Sequence, residues 1–217
     1  MALTRTQEPG VEPVTRDDCK AALNLDADLT ADDALIDVLI TGAREYAEAY
    51  CHRSFISQAW RLTLDSFTDP RAACKGPFLG ALRLENGPVT GVTSITYLDM
   101  NGVWQTITNP GQSNVSSTVA GEQKLTVVTD GQFGRLAPAF GYIWPITLPQ
   151  IGAVQVNYTA GYGDTADKVP AGIRNWIKLR VCTLYQNREE VAVLPRGKVE
   201  ALPYIDRLLD PYVVRLA

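Results

Sequence analysis

Residues 30–65 read TADDALIDVLITGAREYAEAYCHRSFISQAWRLTLD, and the period of the chain changes inside that stretch. Leu35, Leu39, Ala43, Tyr46, Ala47 and Tyr50 follow helical spacing. Asp37, Arg44, Glu45 and Glu48 fall mostly on the other faces. Thr30-Ala31-Asp32-Asp33 resembles a capping box with Asp in place of Glu. Together these signals predict a helix over 30–52. After Arg53 the spacing drops to two. Trp60, Leu62 and Leu64 alternate with Arg61, Thr63 and Asp65, as a half-buried strand requires. The fold is expected to pass from helix to sheet near residue 55.

Upstream, Thr15 opens a shorter helix, predicted over 15–24. Its hydroxyl can cap the first turn, and Asp17 and Asp18 suit the positive end of the macrodipole. Residues 1–13 contain Pro9, Gly10 and Pro13 and no apolar period, which predicts a flexible N-terminal arm.

Downstream, Leu82 and Leu84 begin an alternating run closed by Asn86-Gly87-Pro88, and Val92 to Leu98 is rich in strand-forming residues. Asn101-Gly102 then signals a two-residue type I′ hairpin turn, because both residues tolerate positive φ, and Val103 to Ile107 returns. Leu125 to Val128 and Val154 to Thr159 read as further strands. An aromatic, proline-rich stretch, 133–149, lies between them, and 66–80 and 109–124 read as long loops. Residues 55–160 therefore predict an antiparallel unit of about five to seven strands. Gly161-Tyr162-Gly163-Asp164 turns the chain out of it. Pro170 then suits the first turn of a third helix, predicted over 170–188 with Ile173, Trp176, Ile177, Val181 and Leu184 as its stripe.

Two helices with one apolar face each bury those faces most simply against one another. The expected architecture is α+β. A helical bundle is built from 14–54 and 161–190, with an inserted antiparallel β unit at about 55–160. A C-terminal tail, 191–217, carries a short helix within Pro203 to Leu209.

The 217 residues are 46% hydrophobic and 20% charged, enough apolar material for a core and too little charge for global disorder. Net charge is -4 and the pI about 5.1, which is not the footprint of a protein that grips DNA. No stretch reaches the roughly 20 apolar residues of a membrane helix, so no membrane role is expected. The N-terminus lacks the apolar core of a signal peptide, which points to the cytoplasm. Cys19, Cys51, Cys74 and Cys182 fit no zinc spacing and read as small, buried thiols.

Catalytic constellations are missing from the sequence. His52 is the single histidine, at a helix end where it suits the negative pole better than general-base work. A hydrolase would have to use it, and no G-x-S-x-G elbow exists. Gly161 and Gly163 form G-x-G without a third glycine or a Walker lysine, so a tight turn is the better reading. No catalytic residue, metal ligand or cofactor is expected. A competing reading makes the β unit a small-molecule or carbohydrate-binding module, with Trp104, Phe133, Tyr142 and Trp144 lining a pocket.

Several segments in fixed order resemble a known family. They are Val14-Thr15; Thr30 to Ile36 leading into Ala43-Arg44-Glu45-Tyr46-Ala47-Glu48-Ala49-Tyr50; and Ile56-Ser57-Gln58-Ala59-Trp60-Arg61-Leu62. Gly87-Pro88-Val89 with Val92 to Asp99, then Ala160-Gly161-Tyr162-Gly163 with Val169-Pro170 and Ile173-Arg174, continue the order, and Tyr185-Gln186-Asn187-Arg188-Glu189 ends it. This order is similar to the head–tail connector, or head-completion adaptor, proteins of long-tailed bacteriophages and gene-transfer particles. The resemblance spans about residues 14–190.

The resemblance implies a non-enzymatic, cofactor-free subunit of a homo-oligomeric ring, commonly twelve-fold, made in the host cytoplasm and placed at the head–tail interface of the virion. Its implied partners are its own copies, the portal protein, and a stopper, head-closure or tail-side connector protein. DNA would pass through the lumen without specific binding, which an acidic chain suits because a basic lining would hold phosphates. The short, β-prone run Tyr212, Val213, Val214, Arg215 and Leu216 is a candidate portal-binding strand. The alternative is a tail packed on its own bundle.

Overall fold

The computed structural model describes residues 1–70, 72–73, 80–107, 125–129, 133–139, 142–186 and 207–214. The fold is α+β, and the chain divides into two compact units. Residues 11–56 and 163–217 form a helical unit; residues 1–10 and 57–162 form a β unit.

In the helical unit, α1 spans Arg16–Leu23, α2 Asp33–Cys51 and α3 Ala171–Gln186. Thr15 caps α1 through a reciprocal box with Asp18, and α1 ends on Asn24 in the left-handed region. The box expected at Thr30 does not form. The N-cap of α2 is Asp32, and its side chain makes no capping bond. Tertiary partners take the carboxylates instead: the Tyr185 hydroxyl donates to Asp32, and Lys20 Nζ lies 2.6 Å from Asp33.

The buried face of α2 is also rotated from the expected one. Ile36, Ile40, Ala43, Ala47 and Cys51 are buried together with Arg44 and Glu48, while Tyr46 and Tyr50 are exposed. The stripe of α3 matches expectation at Ile173, Trp176, Ile177 and Val181; residues 187 and 188 lie outside the described ones.

The β unit holds a five-stranded antiparallel sheet and a three-stranded one. The strands are β1 Ala2–Gln7, β2 Gln58–Leu64, β3 Leu82–Leu84, β4 Val89–Leu98, β5 Trp104–Ile107, β6 Leu125–Thr129, β7 Gly134–Pro138 and β8 Val154–Ala160. Strand order is β1-β2-β8-β4-β5 in the larger sheet and β3-β7-β6 in the smaller. Alternation does the folding: Leu62, Leu64, Ile95, Val154, Val156 and Tyr158 meet Leu82, Leu84, Leu125, Val127 and Leu136 in one apolar cluster. A Cβ on Gly134 would lie 2.8 Å from Val89 Cγ2, so glycine is what lets β7 approach β4 there.

Three expectations are corrected here. Residues 2–7 are not a flexible arm but edge strand β1, antiparallel to β2, with Met1 and Leu3 packed on the core cluster. Its short Thr-rich alternation gains stability from a partner more than fifty residues away, which local sequence does not reveal. Within 133–149 lies a strand, β7, that the proline and aromatic content concealed. The β4–β5 hairpin forms, but not through a two-residue type I′ turn. Gly102 has φ 76 while Asn101 is not in the positive region, and the Asp99 carboxylate accepts the N–H groups of Asn101 and Val103. That side-chain cap selects a longer loop, Asp99 to Val103.

Of the predicted tail helix, 203–206 lie outside the described residues. Arg207 is helical, and Asp210–Tyr212 form a 3-10 turn after it. The predicted loop 109–124 also lies outside, as does most of 71–79.

Candidate interaction surfaces

The helical unit centres on a buried guanidinium. Arg44 is 2% exposed. Its Nε donates to Glu12 Oε2 at 2.8 Å and its Nη1 to Glu48 Oε2 at 2.9 Å. Glu12 Oε1 also accepts the Thr41 hydroxyl at 2.9 Å, and Glu48 Oε1 accepts the Phe55 backbone N–H at 2.7 Å. Burial works against the arginine's charge, but Glu48 and Glu12 outweigh it and hold the guanidinium above its ordinary pKa. The cluster ties the segment entering the unit, the middle of α2 and the segment leaving it. Sequence reading missed it because Arg44 and Glu48 look like an exposed i,i+4 pair.

Around this centre the surface is organised by charge and by rings. Arg16 bridges Asp33 and Asp37, and Lys178 pairs with Asp18 at 3.0 Å. The lysine hydrogen bond holds the Asp18 carboxyl below its usual range. Tyr46 stacks between Trp176 and Tyr50, with centroid distances of 5.8 and 6.4 Å, and Arg180 lies over its ring at 5.7 Å.

The C-terminal run is docked on this unit. The Val214 N–H donates to Cys51 O at 3.0 Å, Val214 is buried, and Tyr212 lies against Gly172. Arg53 Nε donates to Tyr212 O at 2.7 Å. Of the candidate portal-binding strand, Tyr212 and Val214 make these contacts, and Arg215 and Leu216 lie outside the described residues.

His52 is the C-cap of α2, with φ 51. Burial raises the Cys19 thiol to about 12 and Cys51 to about 11, which leaves both inert as nucleophiles. Gly161 donates its N–H to Pro88 O next to the Val89–Ala160 pair of β4 and β8, so that amide is not offered to a phosphate. Among the described residues no group of three or more His, Cys, Asp or Glu is placed to hold a metal ion, and no helix is long and apolar enough to cross a membrane. Trp144 stacks on Phe67 at 4.4 Å and gives its indole N–H to Gly80 O, so it offers a sugar neither that ring face nor that donor.

Two open surfaces stand out among the described residues. On the β unit, Ile143, Ile146 and Ile151 are 81%, 76% and 89% exposed. Met100, Val103 and Trp104 are exposed on the β4–β5 hairpin, to which Leu148 is tied by its N–H to Leu98 O. On the helical unit a trough runs along α2. One cavity of about 250 Å³ is lined by Val11, Val14 and Ile40, with Glu12, Arg16 and Asp37 among its other lining residues. It shares Asp37 and Thr41 with a second, of about 360 Å³, that also touches Val38, Gly42 and Glu45.

Residues 14–73 match the family described as Phage gp6-like head-tail connector protein. The resemblance to head–tail connectors holds over this stretch. The whole fold is also similar to chains in solved gene transfer agent (GTA) particles. In the neck of an empty particle, computed with C6 symmetry, one chain is 23% identical at a TM-score of 0.72, covering 100% of this chain and 98% of that one. A chain in the virion of the native particle is 22% identical at 0.71, and one in the native neck computed with C12 symmetry is 21% identical at 0.67, with the same coverage. At these identities the likeness establishes the fold. No curated protein sequence matches the chain.

Proposed function

We propose that this chain is a structural, non-enzymatic head–tail connector subunit of a virion or virion-like particle. In this reading it forms a ring beneath the portal, extends the DNA channel and receives the stopper or tail-side connector. The carrying observation is likeness over the full chain to proteins of a symmetric particle neck, joined to the connector-family match at residues 14–73. The net charge of -4 supports passage of DNA without specific binding. The open apolar surfaces support assembly, since exposed patches of this kind mark protein contacts.

Electron microscopy of the particle neck tests the proposal. Ring density for this chain between portal and tail is expected, and density elsewhere refutes it. The portal-binding role of Tyr212 to Leu216 belongs to the same proposal, and in the docked arrangement it requires Val214 to leave Cys51. Removing residues 210–217 should weaken docking on the portal; unchanged docking sinks that role.

A further inference from the structure

We infer that each copy carries both halves of one head-to-tail interface: the isoleucine loop 142–151 of one copy seats in the α2 trough of the next. The inference rests on the ring reading above. A closed ring of more than two copies needs two unlike, complementary surfaces on every subunit, because a self-matching patch stops at a dimer. This chain presents one projecting apolar surface and one receding surface whose apolar floor is edged by charged residues, on different units.

The projecting half is uncharged from Tyr142 to Ile151 and displays Ile143, Ile146 and Ile151 almost fully to solvent. It is held in shape, with Trp144 fixed on Phe67 and Gly80 and Leu148 fixed to Leu98. A surface already ordered loses little freedom on docking.

The receding half has a feature its own fold does not require. Gly42 stands within α2, where glycine is weaker than alanine by about 1 kcal/mol, yet nothing lies within 4 Å of where a Cβ would be. Among the described residues, no group uses the room it leaves. Ala34, Val38 and Ala49 share the exposed face with it, opposite Ile36, Ile40, Ala43 and Ala47. The rim acids do not stand alone, since Asp37 is bridged by Arg16 and Glu45 lies 3.8 Å from Arg44. An uncharged side chain can therefore enter without burying an unpaired charge, while a phosphate would meet carboxylates. That the matching projection occurs on the same chain favours a second copy over a different protein.

Cysteine pairing in assembled particles tests this. Ile146→Cys and Val38→Cys are combined in one chain, with each single variant as control. After oxidation the double variant should give a ladder of covalent multiples of the chain mass, and the singles none. Necks that contain the ring but give no ladder overturn the interface while leaving the connector reading intact; a cross-link to a protein of another mass overturns the choice of occupant. A chain absent from the neck instead sinks the connector reading.

Gly42→Trp supplies the second arm, because it fills the trough and removes a helix-weakening glycine. It should keep the helical circular dichroism of the wild type and lower ring incorporation by roughly tenfold or more, the scale of one lost apolar anchor. Mixed with an Ile143→Asp/Ile146→Asp variant, it should form a one-to-one pair that grows no further. Rings of normal yield from Gly42→Trp overturn the inference.

Discussion

In the helical unit a guanidinium lies between two carboxylates; in the β unit the buried Tyr158 belongs to one apolar cluster with Leu62, Val156 and residues of the smaller sheet. The two cores fail differently. A hydrophobic cluster tolerates loss of one contact in proportion to the surface removed. A buried ionic cluster does not, because removing one charge strands its partners. The helical unit should thus be brittle at one residue, and the β unit sensitive mainly to crowding.

The largest effect is expected at Arg44. Arg44→Met leaves Glu48 and Glu12 facing each other without their cation and should cost about 3–5 kcal/mol, read as a lower denaturant midpoint of the helical signal. Adding Glu48→Gln should restore part of the loss, because glutamine still accepts the Phe55 N–H without a charge. A double variant no better than the single would show that packing, not charge, holds the centre. In the β unit, Gly134→Ala should cost about 1–3 kcal/mol through overpacking, since its methyl meets Val89 at 2.8 Å and Leu84 at 3.3 Å. Adding Val89→Ala should relieve part of it, since Cγ2 is removed while the Val89 Cβ, 3.0 Å away, stays.

The helix starts sharpen the comparison. Thr15 and Thr30 carry the same signal, but Thr15 makes the capping box with Asp18 and Thr30 does not cap α2. Thr15→Ala should cost about 1 kcal/mol and Thr30→Ala stay within about 0.5 kcal/mol. Equal losses in thermal unfolding would contradict the assignment.

What was legible in the sequence follows the range of the forces. Helix existence and the stripe of α3 were readable because helical periodicity is local. The alternation of β2 and β8 was readable for the same reason. The strand β1 was not, since Leu3 and Thr4 acquire meaning only beside Leu62 and Arg61. The buried face of α2 was misread because Arg44 and Glu48 are charged, and pattern reading assigns charge to water. Glu12, the residue that makes their burial tolerable, lies in a segment with no periodicity at all. The open trough at Gly42 and the isoleucines of 142–151 had no signal beyond composition, because exposure is a property of the whole fold.

The smallest effect concerns acid and again separates the units. Asp99 holds the β4–β5 hairpin by accepting from Val103 and Asn101, and from Gln105 Nε2 at 3.0 Å. The backbone bond from Val103 leads in lowering its pKa below the ordinary carboxylate value, because each N–H favours the ionised form. A carboxyl whose pKa is lower folded than unfolded contributes stability that is complete well above pH ~4. That contribution is lost as pH falls through the folded value. The hairpin should therefore loosen on acidification below pH ~4, seen as faster amide exchange at Val103 and Asn101. Asp99→Asn keeps an acceptor oxygen and removes the titration. It should weaken the hairpin modestly at neutral pH and abolish this component of its acid sensitivity. If the variant's hairpin loosened over the same pH interval and to the same extent as the wild type, Asp99 would not be the group responsible.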